Sequence, residues 1–120
     1  MSVDRSMNDR CELTARIAEV ERREDEVAGV RNEYQRSLER FHEEFRSVGR
    51  RRESSLHESM QSGSSGAQRE LEAQQLLLFQ VDRYVADSVA ELEWTSSQAR
   101  RSLDDERERL IRQRNDLPWE

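Results

Sequence analysis

The chain has 120 residues, 38% charged and 33% apolar, with aromatics at 6% and a net charge of −6. That length holds one domain or one hairpin, and four glycines with one proline favour long helices over a sheet. Acids outnumber arginines on both sides of Ser62, 14 to 12 before and 12 to 8 after, which removes the electrostatic case for nucleic acid or an anionic membrane.

Residues 1–8 read as a flexible start, with Asn8 or Asp9 capping the helix that follows. A first amphipathic helix is expected over 9–61. Leu13, Val20, Val27, Tyr34, Phe41 and Val48 recur seven apart, and Ile17, Leu38 and Phe45 fill the position four residues on. That pattern is the seam of a coiled coil. Glu24, Arg31 and Arg52 interrupt it; they either fix register or mark where the seam meets solvent or a partner. Glu–Arg pairs at i,i+4, such as Glu12–Arg16 and Glu19–Arg23, support the outer face.

Ser62-Gly63-Ser64-Ser65-Gly66 is the single cluster of breakers. Gly63 suits a left-handed C-cap, and Ser65 with Gln68 fits a capping box. A link of 62–66 is short enough to fold the helices back as an antiparallel hairpin.

The second helix is expected over 67–117. Leu71, Leu78, Val85, Leu92 and Ala99 are seven apart, with Val89, Leu103, Leu110 and Leu117 at the complementary position and Asp82 and Ser96 as polar members. Pro118 stops it and leaves a tail of 118–120. Trp119 in that tail is either disordered or docked on a partner. The fold class is therefore all-α, a coiled-coil-like two-helix hairpin that completes a larger helical bundle with a partner.

Chemistry is poorly supplied. Cys11, His42 and His57 lie far apart, without the spacing of a metal site, so no metal or cofactor is expected. Carboxylates are plentiful, but a two-helix surface offers no dry pocket to split their pKa values, so no catalytic residue and no enzyme activity are expected. Arg50-Arg51-Arg52 reads as a solvated face, and both histidines sit on charged faces. With no apolar leader and no run longer than Leu76-Leu77-Leu78-Phe79, neither a signal peptide nor a membrane insertion is expected. One cysteine permits no internal disulfide and suits a reducing cytoplasm.

One stretch exceeds a narrow seam. Leu76, Leu77, Phe79, Val81, Tyr84 and Val85 cover more than one side of the second helix, and Trp94 lies off the seam. A hairpin buries one stripe per helix, so these seven residues are expected to bind a partner. The rest of the pattern (Leu13, Val20, Val27, Tyr34, Leu38, Phe41, Phe45, Leu92, Leu103 and Leu110) is expected to form the hairpin's own seam. With the turn at 62–66, Leu78 would lie opposite residues near 51 and Leu103 near residue 26. Without its partner the chain is expected to be partly unfolded or a homodimer.

The second half resembles a family of small helical targeting factors, the Lap proteins associated with LXG toxins of Gram-positive type VII secretion. The resemblance is carried by Leu76-Leu77-Leu78-Phe79, then Ser96-Ser97-Gln98-Ala99-Arg100, then the leucine-spaced tail from Leu103 to Leu110. It implies an adaptor or targeting chaperone in the cytoplasm, co-secretion left open. Such a factor binds the helical N-terminal domain of a toxin, alongside a second small helical factor in some assemblies. The chain departs from related Esx-type proteins: its turn has Ser62-Gly63 in place of Trp-x-Gly, and no aromatic is followed four residues later by an acid. The alternative is a coiled-coil stalk of a type III or flagellar export apparatus, which would not need the apolar excess at 76–85.

Overall fold

The structure, a computed structural model, describes residues 2–118, with side chains from Arg5 onward. It is an all-α helical hairpin of α1 (Ser2–Gln61) and α2 (Ser65–Asn115), with no strand among the described residues.

The first helix runs back past Asn8 and Asp9 to Ser2, so neither residue caps it. Ser6 in the extra turns is buried, and just beyond them Arg10 Nη2 donates to the carbonyls of Leu117 and Pro118, each at 3.0 Å. These bonds satisfy carbonyls beyond the end of α2, where Pro118 has stopped the helix.

The link is tighter than the five breaker residues suggest. Gly63 N–H donates to Met60 O at 3.0 Å, Ser64 N–H donates to Ser59 O at 3.0 Å, and Gly63 has φ +91°. This is a Schellman ending, in which the left-handed residue lets two otherwise orphaned carbonyls accept. Ser62 Oγ adds a bond to Glu58 O. The second helix then starts at Ser65, so Gly66 and Ala67 are already helical. Gln68 donates to Glu72 Oε1 at 3.2 Å, along its own helix rather than back across a capping box at Ser65.

The chain divides into two compact units, each made of a piece of both helices. Residues 1–32 and 93–120 form one. There Ile17, Val20 and Leu110 are buried together, with Leu13, Leu103 and Ile111 against them. Polar pairs flank this cluster: Arg107 reaches Glu24 at 3.6 Å, Arg31 pairs with Glu93, and Arg114 Nη1 donates to Thr14 Oγ1 at 3.3 Å.

Residues 33–92 form the other unit. Its buried cluster lies next to the turn, with Leu56, Ala67 and Leu71 packed beside Met60. Further from the turn Leu38 and Val85 are buried, as are Gly49 and Gln74. Gly49 allows a close approach: a methyl group there would come within 3.1 Å of Gln74 Nε2 and 3.4 Å of both Leu78 δ-carbons. Leu78 therefore lies against Gly49, in the stretch near residue 51, and Leu103 lies beside the Ile17–Val20–Leu110 cluster.

The glycines separate these effects. Replacing Gly63 by Ala forces a side chain into the left-handed region and should destabilise the hairpin by about 1–2 kcal/mol. Gly29 and Gly66 have open space where a Cβ would stand. Their alanine variants should gain up to ~1 kcal/mol of helix propensity. Gly49→Ala should gain less than Gly29→Ala, because Gln74 has to move aside. Urea denaturation of the four variants checks the order.

Candidate partner-binding faces

A contact every seven residues follows the face of a helix only if the helix is underwound to 3.5 residues per turn; an unstrained helix needs about 3.6. In the unit formed by 1–32 and 93–120, the heptad positions hold: Leu13 and Val27 are half-buried, Ile17 and Val20 buried. In the unit formed by 33–92, the inward line on α1 has moved by one residue. It runs through Gln35, Leu38, His42, Phe45, Gly49, Glu53 and Leu56, all buried or half-buried. Tyr34, Phe41 and Val48 are left beside that line, 50, 45 and 59% exposed. Tyr34 and Phe41, expected in the seam, are thus surface residues. Phe41 stays beside half-buried Phe45, ring centroids 6.1 Å apart.

The seven residues expected on the partner surface fall into three groups. Val85 is buried within its own chain, which corrects its assignment to another chain's interface, and Val81 is half-buried. Leu77 and Tyr84 are exposed on the same side of the hairpin as Val48, because Leu77 lines a groove with Phe45, Val48, Gly49, Ala73 and Gln74, and Tyr84 lies seven residues on. Leu76 and Phe79 point elsewhere, 58 and 62% exposed. With Ala86 and Ala90, also exposed, they recur at spacings of three, seven and four along a second, outward stripe of α2. Trp94, 68% exposed, belongs to the other unit. Of the remaining expected seam residues, Leu38 and Leu110 are buried, and Phe45, Leu92 and Leu103 half-buried. Trp119 lies outside the described residues.

The charged interruptions Glu24, Arg31, Arg52 and Asp82 each meet an opposite charge on the other helix. Asp82 accepts from Arg46 Nη2 at 2.9 Å and Nε at 3.2 Å, and lies 2.6 Å from His42 Nε2. Arg52 approaches Glu70 at 3.7 Å. His42, read from the sequence as a residue of a charged outer face, is in the seam. Its i,i+4 spacing to Arg46 is visible in the sequence, but the link to Asp82 depends on the hairpin register. The hydrogen bond from Arg46, and then that from His42, holds the Asp82 carboxyl below its ordinary value of 3.8. A carboxylate depressed in the folded state contributes stability above its unfolded pKa and loses it as pH falls through the folded value.

Among the described residues no three His, Cys, Asp or Glu side chains gather as a metal site, and no helix is long and apolar enough to cross a membrane. The chain matches no family model, no curated protein and no solved structure.

The pairing of Asp82 with Arg46 makes a pH-dependent prediction. Asp82→Asn should lower the melting temperature at pH 7. The gap from the parent should close as pH drops below the ordinary carboxylate range, where the parent loses the same charge. A gap that stays constant down to pH 2 would mean that the ion pair contributes nothing to the fold.

Proposed function

We propose that this chain is a non-enzymatic adaptor that docks a helical domain of another protein. The observation that carries the reading is the outward stripe of α2, where Leu76 and Phe79 are more than half exposed with no mate in the chain's own seam. Isolated exposed leucines are ordinary on a protein surface, but two large apolar residues in line with two alanines make a strip that a second helix can cover. Ala86 and Ala90 would let that helix approach closely, while Leu76 and Phe79 supply the anchors. In the described residues more large apolar side chains are exposed than buried, so the hairpin has much to gain from such a cover.

The resemblance in the second half supplies the finer reading: the partner is the helical N-terminal domain of a secreted toxin, and the adaptor acts in the cytoplasm to deliver it to a type VII secretion system. The groups that would bind are Leu76 and Phe79 on α2. Co-purification with a tagged toxin domain tests this. Leu76→Glu together with Phe79→Glu should reduce recovery at least tenfold, since losing one anchored side chain from a packed interface costs ~2–4 kcal/mol. Undiminished recovery would remove this stripe as the docking site and favour a coiled-coil stalk.

A further inference from the structure

The outward stripe of α2 is complementary to itself. Glu72, Leu76, Phe79 and Arg83 are spaced four, three and four apart, which sets them on one face of the helix, and all four are exposed. That face looks away from Leu71, Leu78 and Val85, the side of α2 that packs on α1. The two apolar residues are central, and a charge of opposite sign lies at either end. Among the described residues neither Glu72 nor Arg83 enters an ion pair; Glu72 accepts from Gln68 Nε2 of its own helix at 3.2 Å.

We infer that this stripe binds a second copy of the chain, α2 against α2 and antiparallel, about a two-fold axis midway between Leu76 and Phe79. A two-fold at right angles to a helix packs that helix on itself with its ends exchanged. The midpoint of Leu76 and Phe79 is also the midpoint of Glu72 and Arg83. Leu76 of each copy therefore meets Phe79 of the other, and Glu72 of each copy meets Arg83 of the other. Further out, Arg69 falls opposite small Ala86, and Ser65 opposite Ala90, so no bulky pair holds the helices apart. A parallel pair would set each residue against itself, Glu72 on Glu72 and Arg83 on Arg83. The order of charges thus selects both the occupant and its direction. Each α1 stays on the outer side of the pair. The dimer itself does not depend on the adaptor reading. One consequence rests on that reading: a toxin domain would use the same stripe, so it has to displace the copy, and the dimer is the form in which the docking site is closed.

Sedimentation equilibrium on the full chain at low salt, with no toxin domain present, tests the inference. The expected mass is twice the 14.2 kDa of one chain. Leu76→Glu with Phe79→Glu should return single-chain mass with an unchanged helical spectrum. Glu72→Arg alone leaves an arginine at both ends of the stripe, and Arg83→Glu alone leaves an acid at both. Each should weaken self-association about tenfold, because both symmetric pairs become repulsive. An equimolar mixture of these two variants should recover the parent's association, since every arginine then meets an acid of the other chain. Both changes in one chain should recover it as well. Co-purification with the toxin domain is a separate measurement, so failure of the adaptor reading and failure of this inference are told apart. A chain that is monomeric at every concentration overturns the inference, including the case where another protein alone covers the stripe. So does a dimer indifferent to the single charge changes, or a mixture that associates no better than its two components.

Discussion

Two helices packed against each other have a single seam. Its residues must recur at the pitch of the helix, about every 3.6 residues, unless the pair supercoils to 3.5. The large apolar residues of α1 recur every seven. Near Leu13 and Val20 the two periods agree. By Tyr34 they have parted, and Gln35 takes the inward place. Tyr34, Phe41 and Val48 are displaced together because they share one spacing, so the mismatch produces a stripe rather than scattered exposed residues. The apolar face of the 33–92 unit is a consequence of that drift.

What fills the seam where apolar residues leave it is charge. Asp82 holds His42 and Arg46, Arg107 reaches Glu24, and Arg31 pairs with Glu93. Half-exposed pairs of this kind contribute little to stability, and Glu24 Oε1 and Arg31 Nε remain buried without a hydrogen-bond partner. Their value lies in register. A slip of either helix would separate every pair and bury charges without mates, which costs far more than the pairs contribute. The two apolar clusters, Ile17–Val20–Leu110 and Leu56–Ala67–Leu71, hold the helices together, and the charges decide how they align.

The fold was readable because its determinants are local. Gly63 among serines can only be a turn, and the repeats on either side have the lengths of helices. Even the polar interruptions at Glu24, Arg31, Arg52 and Asp82 stand out as breaks in the repeat, although their pairing with Arg107, Glu93, Glu70 and Arg46 depends on a stagger that no local pattern encodes. The candidate faces were less legible. A strict seven-residue count assigned Tyr34 and Phe41 to the interior, since a one-residue drift is invisible until the partner helix is present. It missed Gly49 as a point of close contact for the same reason. On α2 the cluster Leu76 to Val85 was recognisable as excess, but its division into a buried residue, a groove edge and an outward stripe follows from the angular position of each side chain relative to α1. Val85 illustrates this: it is seven residues from Leu78 and belongs to the seam, although it adjoins the exposed Tyr84 in sequence.

The exposed stripe of Tyr34, Phe41 and Val48 depends on the inward line of α1 passing through Gly49 rather than Val48. Disulfide trapping reads that choice directly. In a Cys11→Ser background, Gly49→Cys with Leu78→Cys should form an intrachain bond rapidly under mild oxidation, and Val48→Cys with Leu78→Cys should stay reduced or bridge two chains. The account predicts the first pair to be the one trapped. Efficient intrachain trapping of Val48 with Leu78 and none of Gly49 would return Val48 to the seam and contradict it.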